Sequence, residues 1–216
     1  MKKNTTYAVF GLGRYGTAVA RELVENGREV IAVDRNQQTV NDAAAYLPVC
    51  KCADVTDAEV ISRLGIGSID TVIVCMASNL EASVMSVNLC KEVGVKNVIA
   101  KCSTEMHRKI LLRVGADTVV FPENESGIRL AKNLLSSGFI DMISLSKDVS
   151  MIEIDVRDEW IGKNLIELNL RKKYGFNIVA IKKGEKVNAT VNPEQVLDAE
   201  TTLIVIANTA KLGKLK

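Results

Sequence analysis

The sequence lacks any long apolar run and any long run of like charges. No stretch approaches the roughly 18 apolar residues of a membrane-spanning helix. Lys2 and Lys3 precede an apolar stretch that Gly11 and Gly13 interrupt, which is too short for a signal peptide. The 28 basic and 26 acidic side chains are spread along 216 residues with a net charge of +2, which does not indicate a nucleic-acid surface. We therefore expect a cytoplasmic protein with no nucleic-acid partner and no direct membrane insertion.

Residue pairs that carry common enzyme chemistry are also missing. The single histidine is His107, whereas hydride-transfer enzymes need an acid or base tuned near working pH. No tyrosine is followed four residues later by a lysine, the pair that short-chain dehydrogenases use. There is no Gly-x-Ser-x-Gly elbow, no Walker lysine and no metal-hydrolase pair. The chain is therefore predicted not to be an enzyme.

Cysteine is present but does not form a metal-site pattern. The five cysteines are Cys50, Cys52, Cys75, Cys90 and Cys102. Cys50 and Cys52 would share one face of a strand, but no second Cys or His pair follows at zinc-ligand spacing. Most of the five lie in apolar, strand-like runs. We interpret them as small buried hydrophobic residues in a reducing compartment.

A glycine-rich turn near the N-terminus is the strongest functional signal. A strand predicted over Thr6 to Phe10 runs into Gly11-x-Gly13-x-x-Gly16 and then a helix predicted over Thr17 to Asn26. Gly11 can take the tight turn, Gly13 lets a pyrophosphate approach the backbone, and Gly16 lets helix and strand pack closely. The anion would lie at the positive end of the helix. The alternative interpretation is that the glycines serve packing only.

Two charged residues extend this motif. A second strand, Glu29 to Val33, ends at Asp34, where an acidic side chain can accept hydrogen bonds from ribose hydroxyls. Asp34 would repel a 2′-phosphate, so NADP is not expected, but NAD, ATP and ADP share this ribose and stay open. Arg14 would aim its guanidinium at a terminal phosphate, the alternative being a solvated surface arginine.

Helix and strand periods continue to alternate as far as residue 121, which is typical of a parallel sheet covered on both faces. Strands are predicted at 48–53, 70–75, 97–101 and 118–121, and helices at 37–46, 57–64, 79–93 and 105–114. The predicted fold class is α/β, a Rossmann-like doubly wound parallel sheet. Ligands bind beyond the carboxyl ends of such strands. The candidate site residues are therefore Gly11, Leu12, Gly13, Arg14, Tyr15, Gly16, Asp34, Arg35, Asn36, Asp54, Val55, Met76, Ala77, Ser78, Lys101, Cys102 and Ser103.

The pattern changes after the sixth strand. Phe121 to Glu125 is predicted to lead into a helix, Ser126 to Ser136, which with Gly138 is the candidate connector. From about residue 140 apolar residues alternate with period two, which predicts a mostly antiparallel sheet. Strands are predicted over 151–156, 177–182 and 202–206, with a short helix near 164–168. We predict a nucleotide-binding domain over 1–140 and a small α+β domain over 141–216, whose thin core would depend on a partner.

Several segments resemble a known family. Residues 8–16 with 32–34, 99–102, 115–117 and 121–131 resemble the RCK (TrkA-N) domains that regulate potassium transport. Gly162-Lys163 and residues 168–175 resemble the TrkA-C domain that follows it. The length and single-copy layout are most similar to the Ktr-type cytosolic gating subunits of bacterial potassium uptake systems.

The resemblance implies a homodimer that assembles into an octameric ring beneath a membrane potassium transporter subunit. The chain would then be peripheral at the inner face of the cell membrane, with ATP favouring the conducting state and ADP the closed state. By position, Arg14 would contact the γ-phosphate and Asp34 would contact the ribose. The base and its neighbouring groups would be contacted by Asp54 and by the loops 76–78 and 101–103. His107 would lie near the nucleotide, the alternative being an ordinary exposed helix position.

The resemblance also implies a cation and a second ligand. Glu123 would approach the phosphates and hold Mg²⁺, Ca²⁺ or a monovalent cation, since a carboxylate beside a phosphate needs a cation between them. The alternative interpretation of Glu123 is an ordinary acidic residue at a helix N-terminus, stabilised by the helix dipole. The second domain of this family often binds cyclic di-AMP, an inhibitor, and the matching positions are Arg171, Asn177, Ile178 and Pro193. An NAD(H)-dependent oxidoreductase or NAD(H) redox sensor is the alternative function.

Overall fold

The computed structural model describes residues 5–135, 139–146 and 148–208. Its contacts divide the chain after Glu123 into two compact units, which are described separately below. The domain boundary at residue 140 stays a prediction.

The first unit is built on a six-stranded sheet in the order β3-β2-β1-β4-β5-β6. All of its strand pairs are parallel. The strands are β1 Thr6–Phe10, β2 Glu29–Asp34, β3 Cys50–Cys52, β4 Thr71–Val74, β5 Asn97–Lys101 and β6 Thr118–Val120. The helices are α1 Arg14–Glu25, α2 Gln37–Ala43, α3 Ala58–Arg63, α4 Leu80–Glu92 and α5 Glu105–Arg113, with a 3-10 turn at Ile66–Ser68. The strand order reverses between β1 and β4, which opens a crevice at their carboxyl ends.

The central strands are buried on both faces because helices cover the sheet on each side. All four residues of β4 are buried, as its near-continuous apolar sequence predicts. Ala8, Phe10 and Val72 belong to one apolar cluster, while Val9 and Ile73 belong to another. Successive residues of a strand point to opposite faces, so β1 and β4 join both clusters. The predicted doubly wound sheet is confirmed.

Two helices begin earlier than predicted. Helix α1 begins at Arg14 rather than Thr17, because Gly13, with extended backbone angles, is already its N-cap. Helix α6 spans Pro122–Leu135 and not 126–136. Proline suits the first helical position, where its missing N–H costs nothing. Residues 136–138, including the predicted connector glycine, lie outside the described residues.

The second unit contains a five-stranded antiparallel sheet in the order β10-β9-β11-β8-β7, which confirms the predicted small α+β fold. The strands are β7 Phe139–Ser144, β8 Val149–Asp155, β9 Asn177–Lys183, β10 Lys186–Asn188 and β11 Thr201–Asn208. Two short helices, α7 Leu165–Leu168 and α8 Leu170–Tyr174, follow a 3-10 turn at Asp158–Trp160. Trp160, Phe176 and Leu203 lie in its core. Asn164 and Glu167 form a capping box that starts α7.

The prediction that the cysteines are buried hydrophobic residues holds for only some of them. Cys90 and Cys102 are buried, Cys50 and Cys75 are half-buried, and Cys52 is exposed. Cys90 lies on α4 and not in a strand. The interpretation is wrong for Cys52, because an edge strand, as β3 is, leaves part of its surface uncovered.

None of the helices in the described ranges has the length and apolar character that crossing a membrane requires.

Candidate functional site

Of the three glycines in the turn after β1, the fold requires two and does not require the third. Gly11 has φ +88°, and a Cβ there would lie 2.8 Å from Met76 Cγ. A Cβ on Gly16 would lie 1.9 Å from the Gly11 carbonyl oxygen. A Cβ on Gly13 would meet no described atom within 4 Å, and its φ of −68° suits any residue. The fold therefore explains Gly11 and Gly16, while Gly13 faces open space.

This open space lies at the N-terminus of α1. Gly13 is the N-cap, and no side chain in the described ranges caps the helix there. The first turn of the 12-residue helix contains no acidic residue that would offset its positive end. Such an end attracts anions through its backbone N–H groups and its dipole. Arg14, the first helical residue, is exposed and adds positive charge.

Asp34 is held beside this turn by two backbone hydrogen bonds. The Leu12 amide donates to Asp34 Oδ2 at 2.7 Å, and the Asn36 amide donates to Oδ1 at 2.8 Å. Each carboxylate oxygen can accept more than one hydrogen bond, so ribose hydroxyls could still donate to it. Asn36 itself caps α2, because its side chain accepts from the Thr39 amide at 3.1 Å.

A cleft of about 450 Å³ opens beside the glycine turn, a volume within the usual range of ligand pockets. Its lining contains part of the predicted set, namely Gly11, Gly13, Asp34, Arg35, Asp54, Val55, Met76 and Ser78. Asp54 accepts from the Thr56 amide at 3.0 Å and from the Thr56 hydroxyl at 2.7 Å. These bonds hold the pKa of Asp54 below its usual range, so its carboxylate stays ionised in the cleft.

The cleft also has a wall that sequence reasoning missed. Asn79, Glu81, Ala82 and Met85 line it from the first turns of α4. The prediction stopped at Ser78, where the strand-following loop ends. Helical spacing from Ser78 could have indicated positions 81, 82 and 85, because residues three and four apart share a helix face. The further lining residues are Val33, Ala53, Thr56 and Cys75.

Other predicted residues do not line this cleft. Leu12, Gly16, Ala77 and Cys102 are buried, and Ser103 Oγ donates to the Ala77 carbonyl at 3.1 Å. The four buried residues are part of the packed interior, whereas Ser103 is exposed outside the cleft lining.

His107 is buried in the third position of α5, with only 4% of its surface exposed. The exposed-helix interpretation is therefore wrong, because α5 turns this position towards the apolar core. Its Nε2 has no hydrogen-bond partner among the described residues. Burial lowers the pKa of His107, so the neutral ring is the favoured form.

A second group of polar side chains lies at the start of α1; we call it the Lys101 cluster, made of Arg14, Tyr15, Lys101 and Glu123. Lys101 Nζ lies 2.5 Å from Glu123 Oε1 and 5.4 Å from the centre of the Tyr15 ring. The hydrogen bond from Lys101, with a smaller contribution from the charge of Arg14, lowers the pKa of Glu123. Within the described residues, no group of three or more His, Cys, Asp or Glu side chains could hold a metal ion. Glu123 pairs with an ammonium group instead.

The second unit has its own cavity, of about 500 Å³. All four predicted residues of this unit, Arg171, Asn177, Ile178 and Pro193, line it. The remaining lining residues are Leu165, Ile166, Asn169, Leu170, Phe176 and Val191. A cation and two amides on an apolar floor suit a ligand with both anionic and flat apolar parts.

The chain matches the TrkA-N domain over residues 7–122 and the TrkA-C domain over residues 149–216. It is 36% identical over 216 residues to the Ktr system potassium uptake protein C of Bacillus subtilis (strain 168), with 100% of this chain and 97% of that protein covered. It is 34% identical over 206 residues to the Ktr system potassium uptake protein A of the same organism, with 95% and 93% covered.

Among solved structures, the chain is similar to the GsuK channel bound to NAD. The TM-score is 0.66 at 18% identity, and the match covers 99% of this chain but only 39% of that one. At this identity the similarity shows the fold alone. The two curated relatives are named as potassium uptake components, which agrees with the expectation that the chain is not an enzyme. From the two domain matches and the full-length relatives, we conclude that the chain belongs to the family of Ktr and Trk potassium uptake proteins, in which a TrkA-N domain is followed by a TrkA-C domain.

Proposed function

We propose that the chain is a cytoplasmic, nucleotide-dependent regulatory subunit of a potassium transporter. Its relatives along the full length are Ktr system potassium uptake proteins. The observation that carries the nucleotide part is Gly13, which faces open space at the uncapped start of α1. A side chain there would fill the space through which a phosphate reaches the backbone. Asp34 and the neighbouring cleft would receive the nucleoside.

ATP and ADP would act as opposing ligands of this site, ATP favouring the conducting state and ADP the closed one. Both would share the ribose contact with Asp34, but only ATP carries a γ-phosphate for the exposed Arg14. A ligand can shift a conformational equilibrium only by the difference in its affinity for the two states. A γ-phosphate interaction of about 1 to 3 kcal/mol corresponds to roughly a 5- to 150-fold preference, which is enough for regulation.

The subunit would work as a homodimer within an octameric ring, at the inner face of the membrane beside the transporter subunit. A cation at Glu123 would offset its repulsion of the phosphates once a nucleotide is bound. The cavity of the second unit would bind cyclic di-AMP as an inhibitor. Arg171 could pair with a phosphate of that ligand, and the apolar floor could contact its bases.

An NAD(H) sensor is the second candidate. The GsuK structure that the chain resembles in fold contains NAD. The hydrogen-bonded Asp34 would accept the adenosine ribose of NAD as well as that of ATP. The two candidates differ in the ligand that binds preferentially.

A thermal-shift panel with ATP, ADP, NAD and NADH tests both. A ligand at about 100 times its dissociation constant stabilises the fold by roughly 2.7 kcal/mol. We expect strong shifts with ATP and ADP, and Gly13→Ala should weaken both affinities by about tenfold or more, a loss of at least about 1.4 kcal/mol. The matched control is Gly127→Ala, since a Cβ there would also meet no described atom within 4 Å. Shifts with NADH alone would favour the sensor, and equal affinity in wild type and Gly13→Ala would contradict the phosphate role of Gly13.

A further inference from the structure

Within the Lys101 cluster, Lys101 is much better enclosed than its ion-pair partner Glu123. Its side chain is 15% exposed, whereas that of Glu123 is 64% exposed. The ammonium lies between the Glu123 carboxylate and the face of Tyr15, and aromatic faces attract cations. Lys101 is the last residue of β5, so the sheet fixes its backbone. The four-carbon side chain of Lys101 is flexible and can move the ammonium group from one neighbouring partner to another.

The other members of the cluster place this ammonium at the anion-binding end of α1. Tyr15 is the second residue of α1 and follows Arg14 directly. Glu123 is the second residue of α6 and the last residue of the first unit. A phosphate at the start of α1 would therefore compete with a carboxylate for the same ammonium group.

We infer that Lys101 is a nucleotide-binding residue with two alternative partners: Glu123 in the nucleotide-free protein and a phosphate oxygen in the nucleotide-bound protein. The inference rests on the proposed function, because it requires a nucleotide at the α1 N-terminus. Glu123 becomes available to a cation only after Lys101 has moved to the phosphate. The paired ammonium thus acts as the resident counter-ion of Glu123.

The charges explain why the exchange would matter. Lys101 has three N–H donors, but a doubly charged phosphate attracts them more strongly than a carboxylate that is largely exposed to water. After the exchange, Glu123 has lost its hydrogen-bonded cation and lies near new negative charge. It then either repels the nucleotide or takes up a cation from solution. Nucleotide and cation binding would therefore depend on each other through one lysine.

A double-mutant cycle on the full chain, made of wild type, Glu123→Gln, Lys101→Met and the double variant, tests this exchange, with ADP affinity measured calorimetrically in EDTA. We expect Glu123→Gln to bind ADP about threefold more tightly than wild type, because competition for Lys101 and repulsion of the phosphate are both removed. Adding Lys101→Met to Glu123→Gln should then weaken ADP binding about tenfold, as expected for loss of a charge-assisted hydrogen bond. Equal affinity in Glu123→Gln and the double variant would overturn the inference, because Lys101 would then serve only Glu123.

Control variants separate this effect from a general loss of charge. Lys91→Met removes another half-buried lysine of the same unit, which pairs with Asp117 at 3.0 Å, and should leave ADP affinity unchanged. Glu125→Gln removes a neighbouring acid of α6 and should not tighten binding. If wild-type protein binds neither ADP nor ATP, the proposed function itself fails. If ADP binds but the cycle shows no contribution from Lys101, only the present inference fails.

A measurement on the wild-type protein remains informative if a variant does not fold. Carbon-13 labelling of glutamate carboxyls follows Glu123 directly, with its signal assigned by comparison with Glu123→Gln or with other Glu123 variants. In EDTA, saturating ADP should raise the pKa of Glu123, because the carboxylate loses Lys101 and gains a phosphate neighbour. An unchanged or lowered pKa in the ADP complex would overturn the exchange.

Discussion

Asp34 is organised for a ligand by bonds that the protein makes itself. The amides of Leu12 and Asn36 fix both carboxylate oxygens, so the side chain need not be ordered when a ribose arrives. Preorganisation of this kind lowers the entropy cost of binding. The same bonds connect the glycine turn to the start of α2. A change at Asp34 should therefore affect both ligand affinity and the local backbone.

His107 gives a pH prediction at the same scale. Burial lowers its folded-state pKa below the unfolded value of about 6.5. Its contribution to stability is therefore complete above about pH 6.5 and is lost as pH falls towards the folded-state pKa, because the unfolded chain binds the proton first. We expect the free energy of unfolding of wild type to fall from pH 7.5 to 5.5 by more than that of His107→Leu. Urea denaturation of both proteins at the two pH values measures the difference, and parallel decreases would contradict a buried neutral ring.

At the scale of elements, a feature could be predicted where residues close together in the sequence decide it. It could not be predicted where contacts between distant elements decide it. Strands β1 and β5 have their predicted bounds, because each is an apolar run bounded by polar residues or glycine. The predicted first residues of α1 and α6 were wrong, because glycine and proline can each begin a helix as well as end one. The α4 wall of the cleft depends on how that helix lies on the sheet. The Lys101–Glu123 pair depends on β5 and β6 being neighbours, which residue types alone do not determine.

Helix α8 provides a test of the second cavity. Arg171 and Lys173 of this helix are both exposed, but of the two only Arg171 lines the cavity. Arg171→Ala should weaken cyclic di-AMP binding by about tenfold or more, because a charge-assisted hydrogen bond contributes about 1.5 to 3 kcal/mol. Lys173→Ala should leave the affinity within about twofold, since Lys173 lies outside the cavity lining and its screened charge can contribute only a weak general attraction. Calorimetric titration of both variants distinguishes them, and equal effects would indicate general attraction and not a contact in the cavity.

At the scale of the whole molecule, the described part of each of the two separately packed units carries a ligand-sized cavity. Each unit has its own sheet and its own apolar clusters. A regulatory subunit built in this way can respond to two ligands, each of which acts first on the unit that binds it. Their combined effect is then a coupling free energy between two sites.

Hydrogen exchange tests whether each ligand acts first on the unit that binds it. Saturating ADP should slow amide exchange most in β1, α1 and β2, because bound ligand suppresses opening of the unit that holds it. Cyclic di-AMP should instead slow exchange most in α7, α8 and β9. Mass spectrometry of the two complexes compares the same peptides directly. Slowing of the same peptides by both ligands would contradict the assignment of one ligand to each unit.

The uneven exposure of the cysteines has a practical consequence. All five lie in the described part of the chain, and Cys52 alone is exposed. Its thiol donates to the carbonyl of Arg35 at 3.5 Å, a residue that lines the cleft. Burial raises the pKa of Cys75 and of Cys90 to about 12, so these thiols resist alkylation at neutral pH. A maleimide dye should therefore attach preferentially at Cys52, and its emission would report cleft occupancy in real time without an engineered cysteine.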